Sequence, residues 1–383
     1  MLAIKIPLKY INELRKILAE KEFLDKNYKI LTKDSYGYIP IKGKIDSETK
    51  QSIEKELLNK FNLDSDETLT FDIVEKNLEA LKKQAKSLTE HLKGKIKEEE
   101  IEDLKTSFDI IGDVVILEIP ENLQEHKDTI GEAALKFTKR KAIFMKKSPI
   151  EGKIRTRQLE HIAGENNSQT IHKEHGIRLK LDVKKVYFSP RLATERKRVA
   201  EQVKDREVIL DMFAGIGPFP IIIAKDKNTN IYAVDINEEA IKYMKENIKL
   251  NKIKGKITPI LGDINDISKE DQRFYNSSKM DKEKLVNKEK LASESLKFDR
   301  IIMNLPGTGK DFLNLAISLL NNNGIIHYYE FSEDYDSAIQ RIKRIAKSHN
   351  KEVEILTTRK VKSSSPRQWH IVVDAKISEN KAR

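Results

Sequence analysis

The sequence predicts an α/β protein whose C-terminal half is a doubly wound, seven-stranded, mostly parallel sheet, preceded by an α+β domain and a small N-terminal domain. From about residue 190, apolar runs of strand length alternate with helix-like segments, which is typical of a parallel sheet covered by helices. The first run ends in a glycine turn, and the short loop Lys360–Gln368 joins the last two runs, which indicates an antiparallel closing pair. The runs are Val208–Phe213, Ile231–Ile236, Ile257–Leu261, Phe298–Leu305, Gly324–Phe331, Val353–Thr357 and Trp369–Ala375.

Two smaller units are predicted before this sheet. Residues 1–70 form a small N-terminal domain and residues 71–185 an α+β domain, which leaves residues 186–383 for the parallel sheet. Periodicity in the small domain predicts helices at Ile11–Lys21 and Ser47–Phe61, the second opened by Ser47, and a strand at Tyr36–Lys42.

The α+β domain begins with a polar, helix-like connector at residues 71–100. Its predicted elements are a strand pair or bulged strand at Phe108–Ile119, a helix at Glu121–Lys141, and strands at Ala142–Lys147 and Arg178–Phe188. Within the sheet domain, residues 268–297 are almost wholly polar, so we expect an exposed insertion there.

Composition narrows the class of protein. The chain has no cysteine, which excludes disulfides, thiolate metal sites and cysteine nucleophiles. No apolar run approaches the roughly 18 residues that a membrane span needs, and the N-terminus shows no signal-peptide pattern, so we expect a cytoplasmic protein. Of the net charge of +11, residues 135–200 hold 18 Lys/Arg against 6 Asp/Glu, a balance of +12 that leaves the rest near neutral. Such a block indicates a nucleic-acid footprint or a solvated lysine-rich surface.

The glycine turn follows the first strand of the sheet domain, in Val208-Ile-Leu-Asp211-Met-Phe-Ala-Gly215-Ile-Gly217. Its glycines allow the backbone to turn sharply and approach a ligand at the start of a helix. Pro220 stands where a dinucleotide fingerprint has its third glycine. Asp211 would repel a pyrophosphate, whereas its carboxylate suits the cationic methionine portion of S-adenosyl-L-methionine.

Acidic residues also end the next two strands. Asp235 is placed to accept hydrogen bonds from both hydroxyls of a ribose, and Asp263 from an adenine amino group. Three acids at three successive strand ends predict S-adenosyl-L-methionine as the cofactor, and therefore a Rossmann-like class I methyltransferase domain. The alternative is a dinucleotide-binding fold with ordinary strand-end acids.

The fourth strand ends in Asn304-Leu-Pro306-Gly. An Asn-x-Pro at this strand tip resembles the signature of amino-methyltransferases, in which the Asn side chain accepts a hydrogen bond from the nitrogen to be methylated. The commoner form is Asn-Pro-Pro-aromatic, and no aromatic residue follows Pro306 here, so another group must hold the target base. The alternative is a helix-capping Asn before a Pro-Gly turn.

Three motifs together resemble the archaeal and eukaryotic tRNA (guanine-37 N1)-methyltransferases, in the three-domain archaeal form. They are Val186-Tyr-Phe-Ser-Pro190-Arg-Leu-Ala-Thr-Glu195-Arg, the glycine turn and Asn304-Leu-Pro. The first run is the most specific, and the resemblance covers the chain apart from residues 268–297. It implies methyl transfer to N1 of the guanosine 3′ of the anticodon, with tRNA as partner and the small domain reaching its elbow.

The resemblance also implies roles for individual residues. Glu195 would be the general base, since guanine N1 carries a proton at neutral pH and a carboxylate shielded from water can serve this task. Arg155 would hydrogen-bond the guanine O6, and Tyr187 would pack against the base. Catalytic or substrate roles thus fall to Glu195, Arg155, Asn304 and Tyr187, and cofactor contacts to Arg191, Asp211, Phe213, Gly215, Gly217, Asp235, Ile236, Asp263, Asn304 and Pro306. Without the resemblance, Glu195 is equally a surface residue at a helix start and Arg155 a phosphate contact.

Other functions compete with this one. A wyosine-pathway enzyme would methylate, or transfer an aminocarboxypropyl group to, a modified guanosine at the same tRNA position. A catalytically silent RNA-binding protein is disfavoured by the three acids. A methyltransferase acting on guanine N2 or adenine is disfavoured because the Asn-Pro-Pro-aromatic motif is absent. We expect no metal ion, because the methyl donor is already activated, and a monomer.

Overall fold

The structure is a computed structural model that describes residues 1–61, 69–81, 85–148, 152, 154–266 and 296–380. The chain forms two compact units, Met1–Lys86 and Ser87–Arg383. Most of the expected insertion at 268–297 lies outside the described residues. Within the described part of the chain, no helix is both long and apolar enough to cross a membrane.

The first unit is a four-stranded antiparallel sheet with two helices. Its elements are β1 (Leu2–Pro7), α1 (Ile11–Glu20), β2 (Leu31–Lys33), β3 (Tyr36–Pro40), α2 (Ser47–Lys60) and β4 (Asp72–Glu75), with a 3-10 turn at Leu8–Tyr10. The strand order is β2-β3-β1-β4, so the N-terminal strand is central. Both predicted helices and the predicted strand are present. The cap of α2 is Asp46 rather than Ser47, because the Asp46 carboxylate accepts from the Thr49 backbone N–H at 2.8 Å.

The boundary at residue 70 and the helical connector after it differ from the structure. β4 lies inside that stretch and pairs with β1, with Leu2 opposite Glu75. Four residues with two apolar side chains carry little local signal, and this strand is defined by its distant partner. The first unit therefore extends to Lys86.

The second unit opens with an α+β part. Its elements are α3 (Leu88–Leu92), α4 (Glu98–Glu102), β5 (Asp109–Ile111), β6 (Val114–Leu117), a 3-10 helix (Glu121–His126), α5 (Lys127–Thr138), β7 (Ala142–Lys146), β8 (Leu159–Gly164), β9 (Gln169–Glu174) and β10 (Ile177–Asp182). β5 to β8 form one sheet in that order, and β9 and β10 form a hairpin. The strand pair predicted within 108–119 is therefore present, as β5 and β6, whereas β8 and β9 were not predicted, because their polar residues obscure the apolar alternation.

The remainder of the unit is the predicted α/β layer structure. Its elements are α6 (Ala193–Gln202), β11 (Val208–Asp211), α7 (Pro218–Asp226), β12 (Asn230–Asp235), α8 (Glu238–Leu250), β13 (Lys256–Leu261), β14 (Phe298–Met303), α9 (Leu313–Leu319), β15 (Leu320–Ser332), α10 (Asp336–Ser348), β16 (Lys351–Ser365) and β17 (Gln368–Glu379). Short 3-10 turns lie at Pro190–Leu192, Ile264–Asp266 and Gly309–Phe312.

The seven strands of this sheet have the order β13-β12-β11-β14-β15-β17-β16. Every adjacent pair from β13 to β15 is parallel, and β17 runs antiparallel to both of its neighbours. This confirms the predicted fold class. The closing hairpin is longer than predicted, since its strands reach Ser365 and Gln368 and leave only a two-residue turn. The sheet brings the carboxyl ends of β11 to β14 to one edge.

The predicted division at residues 185/186 does not coincide with a break in packing. Leu179 and Leu181 of the hairpin β9–β10 belong to the same buried apolar cluster as Ile221 and Met244 of the helices α7 and α8. The Asn247 side chain of α8 also hydrogen-bonds both backbone groups of Lys180, at 2.7 and 3.1 Å. The α+β part and the seven-stranded sheet are therefore one compact unit.

Candidate active site

The glycine turn lies between β11 and α7 and has the conformation that its residues predict. Gly215 and Gly217 both have left-handed backbones, with φ of +56° and +83°. Gly217 directly precedes Pro218, the first residue of α7. A Cβ on Gly217 would lie 2.7 Å from Met244 Cγ, whereas one on Gly215 would approach nothing closer than 3.8 Å. Glycine is therefore required at position 217 by packing against Met244 as well as by backbone conformation.

Two of the strand-end acids lie side by side at this turn. The Asp211 side chain is buried; its Oδ1 accepts from the Phe213 backbone N–H at 3.3 Å. Its Oδ2 is buried and has no hydrogen-bond partner among the described residues. Burial, and secondarily the charge of Asp235, raise the pKa of Asp211 to about 8. A buried carboxyl with a free oxygen is the natural partner of a cation that enters the site.

Asp235, at the end of β12, fixes the glycine turn from the other side. Its carboxylate accepts from the backbone N–H groups of Gly215 at 2.7 Å and of Asn237 at 2.8 Å. Burial raises its pKa above the ordinary value. Asp263, after β13, accepts from the Asn265 backbone N–H at 3.0 Å.

A cleft of about 440 Å³ opens along these strand ends. This size lies in the range of cofactor-binding clefts, roughly 300–1,000 Å³. Most of the predicted site residues line it, namely Arg155, Tyr187, Phe213, Gly215, Asp235, Ile236, Asp263 and Asn304. The sequence did not predict that Phe312 joins them and meets Phe213 edge to face, with ring centroids 5.2 Å apart. The cleft thus combines apolar walls with carboxylates, as a charged nucleoside requires.

The residues that are predicted to contact the substrate line the same cleft. The Arg155 guanidinium lies over the Tyr187 ring, 4.8 Å from its centroid. Arg155 has a left-handed backbone, with φ of +58°. The side-chain oxygen of Asn304 is buried and has no hydrogen-bond partner among the described residues. This free acceptor matches the role that the Asn-x-Pro motif predicts. Arg155, Tyr187 and Asn304 also border a smaller cavity, the extension, whose wall includes Pro306.

Glu195 lies on the first turn of α6 and is 2% exposed. It does not line the cleft. Its Oε1 accepts from the Tyr329 hydroxyl at 2.7 Å and from Arg198 Nη2 at 2.6 Å, and its Oε2 accepts from Arg198 Nε at 3.0 Å. Burial and the Glu195 charge raise the pKa of Tyr329 well above its ordinary value, so the phenol keeps its proton as the donor. Leu192, three residues earlier in the chain, lines the extension, whereas Glu195 does not.

Arg198 continues this contact into a buried ionic network. It also donates to Asp374 on β17, which in turn accepts from His327 Nδ1 at 2.7 Å. Burial lowers the pKa of His327, so its neutral ring accepts at Nε2 from Arg300, 2.7 Å away, and Arg300 pairs with Glu207. Burial would raise the pKa of Asp374, but His327 and Arg198 outweigh it and hold this pKa well below its ordinary range.

Five predicted site residues lie outside the cleft lining. Arg191 points to Asp109, with Nε 2.7 Å from the carboxylate, and the geometry gives no support to a cofactor contact. Gly217 lies against Met244, the Asp211 side chain is buried, Glu195 is held by Tyr329 and Arg198, and Pro306 borders only the extension.

Sequence reasoning did not find His327, Asp374 and His370, all of which are buried in strands of the sheet. His327 and Asp374 are direct cross-strand partners in β15 and β17, and His370 lies opposite Phe331. The sequence signal that could have found them is their polar character inside two otherwise apolar runs. His327 lies in Gly324–Phe331, and His370 and Asp374 lie in Trp369–Ala375.

Three family models match the chain. The TRM5/TYW2 methyltransferase domain matches residues 170–281 and 279–356, the TYW2 N-terminal domain residues 88–167, and the tRNA methyltransferase 5 N-terminal domain residues 3–49. The matched ranges fall in the α/β layer structure, the α+β part and the first unit, and they end at residue 356.

Full-length relatives agree with these matches. The tRNA (guanine(37)-N(1))-methyltransferase Trm5b of Pyrococcus abyssi is 41% identical over 381 residues, covering 98% of this chain and 99% of the relative. The crystal structure of wild-type Trm5b from that organism has a TM-score of 0.75 at 40% identity, with 99% of each chain covered. A structure described as the complex of aTrm5 and tRNALeu has a TM-score of 0.76 at 36% identity, covering 98% of this chain and 99% of that one. The chain belongs to the tRNA (guanine(37)-N(1))-methyltransferase family.

Proposed function

We propose that this chain transfers the methyl group of S-adenosyl-L-methionine to N1 of guanosine 37 in tRNA. The observation that carries the proposal is the convergence of two predicted residue sets on one cleft. Phe213, Gly215, Asp235 and Asp263 of the cofactor set line it together with Arg155, Tyr187 and Asn304 of the substrate set.

Residues at the carboxyl ends of β11 to β13 would hold the cofactor. Asp235 would accept from the ribose hydroxyls and Asp263 from the adenine amino group, while Phe213 supplies apolar contact. The free Oδ2 of Asp211 would face the cationic methionine portion. S-adenosyl-L-methionine supplies an activated methyl group, so the chain itself needs only to orient the acceptor and remove its proton.

Three side chains would orient the guanine. Arg155 donates to O6 and stabilises the negative charge that develops there as N1 loses its proton. Tyr187, already in contact with the Arg155 guanidinium, packs against the base and replaces the aromatic residue missing after Pro306. Asn304 accepts a hydrogen bond from the guanine through its free side-chain oxygen.

Glu195 would take the N1 proton as the new N1–methyl bond forms. Both of its oxygens are engaged by Arg198 in the structure, so one of these hydrogen bonds must be exchanged for the guanine N1–H. Asp374 shares the Arg198 guanidinium and can hold it during this exchange. Tyr329 keeps the other side of the carboxylate in place.

The basic block supports tRNA as the partner. Residues 135–200 carry a balance of +12 and include Arg155 and Tyr187, so phosphate contacts in this segment would bring the target nucleotide to the cleft. The first unit would check the distant part of the tRNA. We place the enzyme in the cytoplasm as a monomer, and sedimentation of the chain with and without tRNA measures the second point.

Nucleoside analysis of unmodified tRNA incubated with the protein and labelled S-adenosyl-L-methionine tests the proposal. The expected product is N1-methylguanosine at position 37. An aminocarboxypropylated nucleoside, or methylation only of a wyosine precursor, would instead favour the pathway of partial relatives such as the aminocarboxypropyltransferase of Methanocaldococcus jannaschii, 37% identical over 271 residues.

The role of Glu195 has its own test. Glu195→Gln keeps the shape of the side chain but removes the base, so single-turnover methyl transfer should slow by about 10²- to 10⁴-fold. The dissociation constant of S-adenosyl-L-methionine should stay within about twofold, because Glu195 does not line the cleft. Glu201→Gln, in the same helix and 65% exposed, is the matched control. Equal losses of rate and cofactor affinity would show that Glu195 is structural.

A further inference from the structure

We propose that His370 is a specificity-determining residue that donates a hydrogen bond to N7 of the target guanine, on the base edge beside O6. The inference rests on the proposed function, because it names a further contact to the same substrate. His370 itself lies outside the residues that the sequence motifs identify.

The first observation is that His370 is buried without hydrogen-bond partners. The side chain is 2% exposed, and both ring nitrogens are buried and unpartnered among the described residues. Leaving buried polar atoms unsatisfied is costly, and such atoms in native proteins call for an explanation. A substrate group that completes the hydrogen bond during the reaction is such an explanation.

The second observation is where His370 lies. It lines the extension together with Arg155, Tyr187, Asn304, Pro306 and Lys362. Three of these residues also line the cleft, so a base held between Tyr187 and Asn304 has one edge at the mouth of the extension. The extension has a volume of about 20 Å³, room for roughly one water-sized group. It can receive an edge atom of the base but not the ring itself.

The third observation is the charge around the extension. Burial first, and then the charges of Lys362 and Arg155, lower the pKa of His370 to about 3, so the imidazole is neutral with one N–H donor. Arg155 and Lys362 place two positive charges at the lining of the extension, and no carboxylate of the described residues lines this cavity. This lining favours a group that accepts hydrogen bonds. The edge of guanine that presents N7 and O6 is such a group, with Arg155 at O6 and His370 at N7.

The His370 ring is held rigidly enough for this task. It packs between Tyr329 and Phe331, with ring centroids 5.4 and 5.5 Å away. Tyr329 also donates to Glu195, so one short segment of β15 positions both the general base and the proposed N7 donor. The geometry of proton removal and of base recognition is therefore set by the same strand.

The test replaces N7 by carbon. Single-turnover methylation is measured with tRNA carrying guanosine or 7-deazaguanosine at position 37, using the wild-type chain and His370→Phe. The wild type should lose about 10- to 100-fold in rate with the 7-deaza base, the cost of one buried hydrogen bond. With guanosine, His370→Phe should methylate more slowly than the wild type by a similar factor. With 7-deazaguanosine, the rate of this variant should fall no further. His370→Gln, which keeps a donor, should recover part of the discrimination.

The control is His161→Phe. His161 also has a buried, unpartnered ring nitrogen beside a phenylalanine, but it does not line the cleft or the extension. This variant should keep the wild-type sensitivity to 7-deazaguanosine. If the rate loss of His370→Phe with 7-deazaguanosine equals the product of the two separate losses, the inference is overturned. His370 and N7 would then act independently, and His370 would contribute through packing or through a bound water. A wild type that makes N1-methylguanosine equally well on both tRNAs would also overturn it, whereas a wild type that makes none on either would refute the proposed function itself.

Discussion

Replacing Asp211 by asparagine should change how the stability of the protein depends on pH. The pKa of Asp211 is raised from 3.8 to about 8 in the folded chain, mainly by burial. Between these two values the native state holds one proton that the unfolded state has released. The free energy of unfolding therefore falls as pH rises across this window, by about 1.4 kcal/mol per pH unit. Asparagine cannot ionise, so this dependence disappears in the variant.

The expected magnitude follows from that slope. Between about pH 5 and about pH 7, the variant should gain about 3 kcal/mol relative to the wild type. The introduced asparagine leaves a buried amide unpartnered, which adds an offset that does not vary with pH. Asp235, whose pKa is also raised, titrates in both proteins, and its coupling to Asp211 is small over this window because Asp211 stays protonated below its pKa of about 8.

Urea unfolding at several pH values, without cofactor, measures this difference. Asp46→Asn is the control of opposite sign, because hydrogen bonds from Thr49 lower the pKa of that exposed carboxyl, and its effect is confined to acid pH. A stability difference for Asp211→Asn that stays constant from about pH 5 to about pH 7 would refute the reasoning. Wild-type affinity for S-adenosyl-L-methionine should also rise toward pH 8, as Asp211 releases its proton to face a cation, and the variant should lose this pH dependence.

Two further predictions concern packing and the buried network. Gly217→Ala should lower the free energy of unfolding by about 1–2 kcal/mol because of the left-handed backbone at this position. The steric contribution should lower it further, because the new Cβ would lie 2.7 Å from Met244 Cγ. Gly94→Ala, at φ +74° with nothing within 4 Å, measures the backbone cost alone, and equal losses in urea unfolding would contradict the steric contribution. Asp374→Ala should destabilise the second unit by about 3–5 kcal/mol, because it leaves Arg198 buried with a lost partner. A thermal unfolding midpoint close to that of the wild type would show that the network contributes little.

The parts of the site that could be predicted from sequence are those that depend on residues close in the chain. The glycine turn lies within six residues of Asp211, and each strand-end acid is marked by the apolar run before it. Parallel strands end at one edge, so the fold class by itself brings Asp235, Asp263 and Asn304 to one cleft. Arg191 shows the limit of this reasoning. It lies inside a motif that matches the family, yet its side chain pairs with Asp109, which is 82 residues away in the chain.

The sequence by itself determined the fold class and the cofactor edge, and its resemblance to the family named the residues that we propose face the guanine. Only the tertiary structure decided what holds them. Glu195 contacts Tyr329, which is 134 residues away, and Arg198 contacts Asp374, which is 176 residues away. His370 enters the site because β17 inserts antiparallel beside β15, a pairing that places it opposite Phe331. Apolar periodicity reports which face of a strand is buried, but the partner of a buried polar group is set by which strands pair, and that is a property of the folded sheet.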